Sequence, residues 1–227
     1  MPTLAVSPRS RRRHGVGRPG GSWEAFAGRA VDVVLSVIGL LVLALPMIVI
    51  ALMIRWGSSG PALFQQRRVG YGGKSFTMYK FRTMRTGVGD EMLRQLIAAE
   101  LRGEDTSVNG SYKLDHDPRV TPIGAFLRRT SLDELPQLIN VLMGTMSLVG
   151  PRPCLEWEAE MFPPEFKLRF AVRPGLTGLW QVSGRSTMST LEMLHLDLTY
   201  VRERRFIGDI AILARTIPSM LRSDGAR

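Results

Sequence analysis

Apolar residues are concentrated in one stretch of this chain and diluted by charge elsewhere. From Val33 to Ile54 runs VVLSVIGLLVLALPMIVIALMI, uncharged throughout. As a helix it would be about 33 Å long, enough to cross a hydrocarbon core. A secretory signal peptide or a buried soluble helix shares this apolar character, but the run is long and no small-residue cleavage pattern follows it. Pro46 lies well inside, where its missing N–H kinks or breaks a helix. Arg18 and Arg29 precede the run, and Arg55, Arg67, Arg68, Lys74 and Lys80 follow it, so both ends are drawn to the cytoplasmic side. A kinked hairpin that enters and leaves one leaflet satisfies both pulls, whereas a spanning helix satisfies one. Asp32, one turn after Arg29, is expected to pair with it at the interface.

Past this run the periodicity changes. ALFQQRRV and KSFTMYKFRTM, joined by GYGG, read as a basic β-hairpin. The GGKS at Gly72–Ser75 fails as a phosphate loop because Arg68 stands where that pattern needs glycine. EMLRQLIAAELR at Glu91–Arg102 is amphipathic at helical spacing. Residues 113–153 and 172–185 are rich in charge, Pro and Gly between short apolar runs. The last segment, LEMLHLDLTYVRERRFIGDIAILARTIPSMLRS, suggests two amphipathic helices with basic faces suited to a membrane surface. The predicted fold is α+β and mostly helical. A basic tail (1–22), a hydrophobic membrane helix (23–56), a small cytosolic catalytic domain (57–218) and a C-terminal tail (219–227) divide it.

Charge narrows the partner. At 227 residues and a formal +10, the chain should meet something anionic: nucleic acid, acidic lipid or phosphorylated small molecules. Arg9, Arg11, Arg12, Arg13 and Arg18 sit among Pro, Gly and Ser, a composition that cannot order itself and that nucleic-acid-binding tails share. The lone Cys154 excludes an internal disulfide framework and fits a reducing compartment. With His14, His116 and His195 far apart, no zinc-type ligand cluster can be drawn.

Candidate chemistry gathers at SLDELPQ, residues 131–137. Ser131 and Glu134 have capping-box spacing, Asp133 could itself be a cap, and Pro136 suits the first turn of a helix. Capping and catalysis are compatible, since a carboxylate at a helix N-terminus is held ionised and rigid, as a nucleophile needs. Arg119, Arg128 and Arg129 precede the acids, and Arg152 is flanked by Pro151 and Pro153 on a stiff backbone. A carboxylate attacking phosphorus meets like-charge repulsion, which guanidinium groups and a divalent cation offset. Acids and arginines interleaved in this way point to a phosphate site.

These blocks resemble the catalytic unit of the monotopic phosphoglycosyl transferases, the bacterial sugar transferases or undecaprenyl-phosphate sugar phosphotransferases. The resemblance covers about residues 26–216. It is carried by Arg29 with Asp32, FQQRRVG at 64–70, KFRTM at 80–84 and DPRVTPIG at 117–124. It continues through SLDELPQLINVLMG at 131–144, MSLVGPRP at 146–153 and RPGLTGLWQVSGR at 173–185. Such a resemblance implies transfer of a sugar 1-phosphate from a UDP-sugar to polyprenyl phosphate in the inner leaflet of a bacterial membrane, with release of UMP. It implies that Asp133 is the nucleophile that carries the phosphosugar, that Glu134 handles a proton or orients the metal site, and that Mg²⁺ sits beside Asp133. Arg128 and Arg152 match phosphate- or nucleotide-binding arginines. Lys80, Arg82 and Arg119 join them as basic residues of the matched blocks, and Gln181 and Arg185 lie in a block that closes the site. The hydrophobic helix, marked by Arg29, Asp32 and Pro46, is implied to be re-entrant and broken near the proline. A homo-oligomer and downstream glycosyltransferases are further implied partners; nucleic acid is not.

Three positions depart from the pattern. Thr145 stands where an acid is frequent, Leu45 precedes Pro46 where some members have Ser, and Arg204 and Arg205 replace an aromatic–Ser pair before Asp209. They bear on membrane seating and packing more than on Asp133. The larger members carry extra transmembrane helices and a further domain ahead of this unit, so the chain reads as the short form. Competing readings are a membrane-anchored basic binding protein, an inactive scaffold, and a direct glycosyl transferase without a covalent intermediate. Cys154 as nucleophile is a poor fit, because a small buried residue explains it as well, and His116 and His195 have no identifiable catalytic partner.

Overall fold

A computed structural model of the chain describes residues 22–84, 90–107, 112, 119–184 and 187–221. The basic tail to residue 21, the end of the C-terminal tail from residue 222, and His14, His116 and Arg185 lie outside the described residues. The architecture is α+β and mostly helical, as the periodicity predicted. Helix α1 (Ser22–Gly57) is followed by strands β1 (Leu63–Val69) and β2 (Ser75–Phe81), then α2 (Glu91–Leu101), α3 (Pro122–Thr130) and α4 (Gln137–Met143). After these come β3 (Ser147–Val149), α5 (Glu156–Met161), β4 (Gly175–Thr177), α6 (Leu179–Ser183), α7 (Thr190–Glu203) and α8 (Phe206–Leu221).

Helix α1 is long and apolar enough to cross a membrane and runs as one helix with Pro46 inside it. Two stretches of it pack on the rest of the chain while the middle is bare: Asp32, Ser36, Ile50 and Ile54 are buried, but Leu41, Val42 and Leu45 are about 70 % exposed. The expected Arg29–Asp32 pair is replaced by two longer reaches. The Arg29 guanidinium donates to the carbonyls of Val141 (2.6 Å) and Leu142 (2.9 Å), near the end of α4. Asp32 instead accepts from the Ser147 hydroxyl at 2.9 Å and the Leu148 amide at 2.8 Å. Buried polar groups need partners, and the open ends of α4 and β3 supply better ones than a neighbour on the same helix.

The hairpin has the predicted form. β1 and β2 are antiparallel in the register Leu63 with Phe81 to Val69 with Ser75, and Gly72 and Gly73 turn the chain at positive φ. The second sheet pairs β3 with β4 in parallel, Ser147 with Gly175 and Val149 with Thr177. At Gly175 the backbones approach so closely that an added Cβ would lie 2.1 Å from the Gly150 nitrogen, so only glycine fits. The main core packs Phe76, Met78, Leu138, Val141, Met146, Leu148 and Val149 with Tyr200 and Ile212 of α7 and α8. A second cluster joins Val69, Phe162, Phe166, Leu194 and Leu198, and a third joins Ile50 and Ile54 of α1 to Phe81 and Leu127.

Candidate active site

Asp133 and Glu134 sit on a short 3-10 turn, Leu132–Glu134, between α3 and α4. The predicted capping box does not form. Ser131 ends α3 in the left-handed region (φ 56°), its side chain caps nothing, and Pro136 precedes α4 rather than opening it. What fixes the turn is its apolar pair: Leu132 and Leu135 pack against the cluster of Ile50, Ile54, Phe81 and Leu127. With those side chains turned inward, the two acids between them face a cleft of about 380 Å³.

The lining of this cleft is strongly cationic. Lys80 of β2, Arg68 of β1, Arg119, Arg128 of α3 and Arg152 line the same cleft, together with Gln181 and Trp180 of α6. Lys80 is aligned by Asn140 of α4, which is fully buried and acts as a surrogate strand. Its Nδ2 donates to the Thr77 carbonyl at 2.7 Å and its Oδ1 accepts from the Tyr79 amide at 3.0 Å. Arg152 is exposed, and its guanidinium lies 5.8 Å from the centre of the Trp180 ring. Past these cations the cleft turns apolar, with Leu93, Leu96 and Ile97 of α2 and Phe162. Glu100, buried on α2, ties this wall to α7 by accepting from the Thr190 amide.

Electrostatics couple the acids to the cations. Burial, and next the charge of Glu134, push Asp133 up to about 6 against the pull of Lys80 and Arg128. The shift runs against the expected stabilisation of the carboxylate at a helix N-terminus, because desolvation and a like charge outweigh the nearby cations, although the group is still ionised above about pH 6. Burial and the neighbouring Arg68 push Lys80 down to about 8, with Asp133 opposing. Burial and then Arg152 push Arg68 down to about 10, and burial pushes the Cys154 thiol up to about 11, which leaves it a neutral wall residue.

The cleft therefore gathers Asp133, Glu134, Lys80, Arg119, Arg128, Arg152 and Gln181 of the residues singled out in the sequence. Arg82 is not among the cleft residues: it is buried and donates to the Ser58 and Ser59 carbonyls, tying the end of β2 to the end of α1. Arg29, Asp32 and Pro46 belong to α1. Arg68, Trp180 and Arg169 were not assigned to the site. Arg68 was legible in principle, since alternate side chains of a strand face opposite ways. Arg67 is exposed beside Glu156 at 3.5 Å, which turns Arg68 inward to donate to the Pro153 carbonyl. Arg169, between aromatic residues of a Pro-led 3-10 segment, gave no such signal.

A helix of membrane-crossing length and an acid pair in a cation-lined cleft together describe a membrane-associated enzyme. The chain belongs to the bacterial sugar transferase family, whose model matches residues 23–223, and it is accordingly a transferase. It is 42 % identical over 203 residues to the undecaprenyl-phosphate galactose phosphotransferase of Salmonella typhimurium, covering 88 % of this chain but 42 % of that protein. The exopolysaccharide production protein ExoY of Rhizobium meliloti is 38 % identical over 201 residues, 88 % of each chain. The UDP-glucose:undecaprenyl-phosphate glucose-1-phosphate transferase of Caulobacter vibrioides is 38 % identical over 221 residues, 92 % of this chain and 76 % of that protein. The chain thus spans less than half the length of some relatives and most of others.

Proposed function

We propose that this protein transfers a sugar 1-phosphate from a UDP-sugar to undecaprenyl phosphate, releasing UMP, through a phosphosugar held on Asp133. The observation that carries the reading is the half-buried Asp133–Glu134 pair sharing one cleft with Lys80, Arg68, Arg128 and Arg152; the relatives' names supply the substrate class. In the first step a carboxylate oxygen of Asp133 attacks the sugar-bearing β-phosphorus. The P–O bond to the α-phosphate breaks and UMP departs with that electron pair. In the second, an oxygen of undecaprenyl phosphate attacks the same phosphorus, the acyl phosphate bond breaks, and Asp133 is regenerated as carboxylate. Lys80 and Arg128, which already pull on Asp133 electrostatically, lower the repulsion between it and the phosphate oxygens. Arg152 takes the nucleotide phosphate and Arg119 and Gln181 its flank; Arg185, which the family resemblance adds to the site, lies outside the described residues. Glu134 keeps a proton or a cation close to Asp133.

Two adjacent carboxylates suit Mg²⁺, which is commonly held by one or two carboxylates together with substrate phosphates. Among the described residues no group of three acidic, His or Cys side chains converges, so the donor set fits a cation shared with the substrate. Asp133 and Glu134 would hold it, and when bound it would neutralise phosphate charge. The bare middle of α1 between the buried positions Asp32, Ser36, Ile50 and Ile54, with Pro46 inside it and basic residues beyond both ends, is compatible with a re-entrant helix kinked at Pro46 and a catalytic domain on the cytoplasmic face of the inner membrane. That placement brings the cleft to a lipid phosphate, which opens exopolysaccharide, capsule or O-antigen assembly, alone or as a homo-oligomer beside downstream glycosyltransferases.

The test is UMP release from a panel of UDP-sugars by protein in nanodiscs with undecaprenyl phosphate and Mg²⁺, with Asp133→Asn in parallel. Release with one sugar, absent in the variant and after chelation, is expected. A folded protein that releases no UMP from any donor would put the scaffold or binding-protein reading ahead.

A further inference from the structure

The segment that carries Arg152 is Pro151–Arg152–Pro153, and two prolines leave it few backbone donors with which to hold its shape. Its carbonyls do that instead. Pro151 O accepts from the Gly175 amide at 2.9 Å, Arg152 O from Nη2 of Arg169 at 2.8 Å, Pro153 O from Nη1 of Arg68 at 3.1 Å, and Cys154 O from the Val69 amide at 2.9 Å. Four consecutive carbonyls are pinned, the middle two by buried guanidinium groups that also line the cleft.

Arg169 is itself held through two of its three nitrogens, Nη1 being buried without a hydrogen-bond partner. Its Nε and Nη2 donate to one carboxylate oxygen of Asp197 on α7, at 3.1 and 2.6 Å. The rings of Phe162 and Phe170 stand 5.1 and 5.7 Å from its guanidinium. Arg169 is 2 % exposed and Asp197 1 %. Burying two charges in this way carries a desolvation cost that well-packed apolar residues of similar volume avoid, so stability alone gives little reason for the pair. What an apolar pair lacks is the Nη2 fork, which binds Asp197 and the Arg152 carbonyl together.

We propose that Arg169, oriented by Asp197, is a positioning residue that sets the backbone of Arg152 so that its guanidinium lies over Trp180 in the cleft and receives the nucleotide's phosphate. The inference rests on the phosphate-binding role given to Arg152 above and adds the element that enforces it. The chain of contacts runs from α7 through Asp197, Arg169 and the Arg152 carbonyl to the Arg152 side chain. Repositioning this segment should alter how the donor nucleotide is held before it alters the reactivity of Asp133, which stands on a different turn.

The experiment uses the full chain in nanodiscs and UDP as the probe, with binding read by calorimetry so that turnover plays no part. Arg169→Lys keeps a charge for Asp197 but replaces the planar guanidinium, whose Nε and Nη2 fix its orientation on the carboxylate, by a shorter point-like ammonium that does not set the same reach to the Arg152 carbonyl. Arg169→Met with Asp197→Leu removes the pair without leaving a lone buried charge. Each is expected to weaken UDP binding about tenfold, to raise KM for the donor more than it lowers kcat, and to leave the melting transition cooperative. Adding Arg152→Ala to either should cause little further loss, since both act on one contact. Losses that multiply, or unchanged UDP binding in an Arg169→Lys protein, would overturn the proposal. If Arg152→Ala alone binds UDP normally, the phosphate role of Arg152 fails first and the positioning role falls with it, an outcome distinct from failure at Arg169 alone. Arg169→Lys is the smaller change and keeps the test open should the double variant fail to fold.

Discussion

Asp32 and Leu148 are joined by a 2.8 Å hydrogen bond from the Leu148 amide to the Asp32 carboxylate, across 116 residues of sequence. One partner lies on the long apolar helix α1, and the other is the middle residue of β3, the strand that leads into the Pro151–Arg152–Pro153 segment. The same carboxylate accepts from the Ser147 hydroxyl. Arg29, one turn earlier, makes the companion link to α4, the helix that follows Asp133 and Glu134. The long apolar helix and the cation-lined cleft are therefore tied together by these links.

Asp32→Ala leaves two buried donors of β3 without an acceptor. A loss of about 2–4 kcal/mol is expected, together with faster proteolysis at the junction of α1 with the rest of the chain. Asp32→Asn keeps an acceptor oxygen and should lose less. Denaturant unfolding in detergent micelles measures both, and an alanine variant as stable as the parent would rule out the link as a structural anchor.

Asn140 answers to a different geometry. Its amide supplies one donor and one acceptor to β2, at the Thr77 carbonyl and the Tyr79 amide, so a residue with only acceptors cannot replace it. Asn140→Asp should cost about 2–4 kcal/mol by facing a carboxylate to the Thr77 carbonyl. Because Lys80 follows Tyr79 directly, residual activity in folded protein should fall several-fold further than stability explains. Activity normalised to folded fraction is the measurement, and a normalised value equal to the parent's would leave Asn140 a core residue only.

Much of this arrangement was legible in the sequence where the signal is local. The hairpin followed from alternation on either side of GYGG, and α2, α7 and α8 from helical spacing. The placing of Asp133 and Glu134 among cations followed from the charges close to them in the chain. Long-range choices were not legible. Arg29 and Asp32 have the spacing of a helical ion pair, yet both find partners more than 110 residues away, because burial rewards satisfying the open ends of α4 and β3. Ser131 and Glu134 have the spacing of a capping box, yet the packing of Leu132 and Leu135 selects a 3-10 turn instead. Arg82 and Arg169 show the same limit from opposite sides, since composition does not tell a guanidinium facing a cleft from one spent on carbonyls.

Lys80 should impose a basic limit on nucleotide binding. Burial holds its ammonium down to about 8, below the ordinary 10.5, so the cation that meets phosphate is lost in the free protein as pH rises through about 8. The stability sign is the opposite one: the unfolded chain holds this proton longer, so the group's contribution to stability rises between about 8 and 10.5. UDP affinity measured without divalent cation should weaken above pH 8, and Lys80→Arg should shift that fall to higher pH. A profile unchanged by the arginine variant would assign the limit to another group.

Asp133 should reveal its cost in the stability of its own variant. Its folded value of about 6 lies above the ordinary 3.8, so the folded protein holds this proton more tightly than the unfolded chain does. The resulting contribution to stability is full below about pH 4 and is lost as pH rises through about 6. At pH 7.5 the ionised carboxylate therefore sits in a site that disfavours it, chiefly through burial and then Glu134. Asp133→Asn keeps the shape and removes the charge, so it should be more stable than the parent by about 2 kcal/mol at pH 7.5 in chelator, and by almost nothing at pH 4. Millimolar Mg²⁺ should narrow the difference at pH 7.5 by stabilising the parent alone, because a cation on Asp133 and Glu134 relieves the repulsion that the asparagine has already removed. Denaturant midpoints at the two pH values, with and without Mg²⁺, decide the matter. An asparagine variant no more stable than the parent at pH 7.5 would mean that Lys80 and Arg128 already outweigh burial, and that Asp133 is ionised without strain before any substrate arrives.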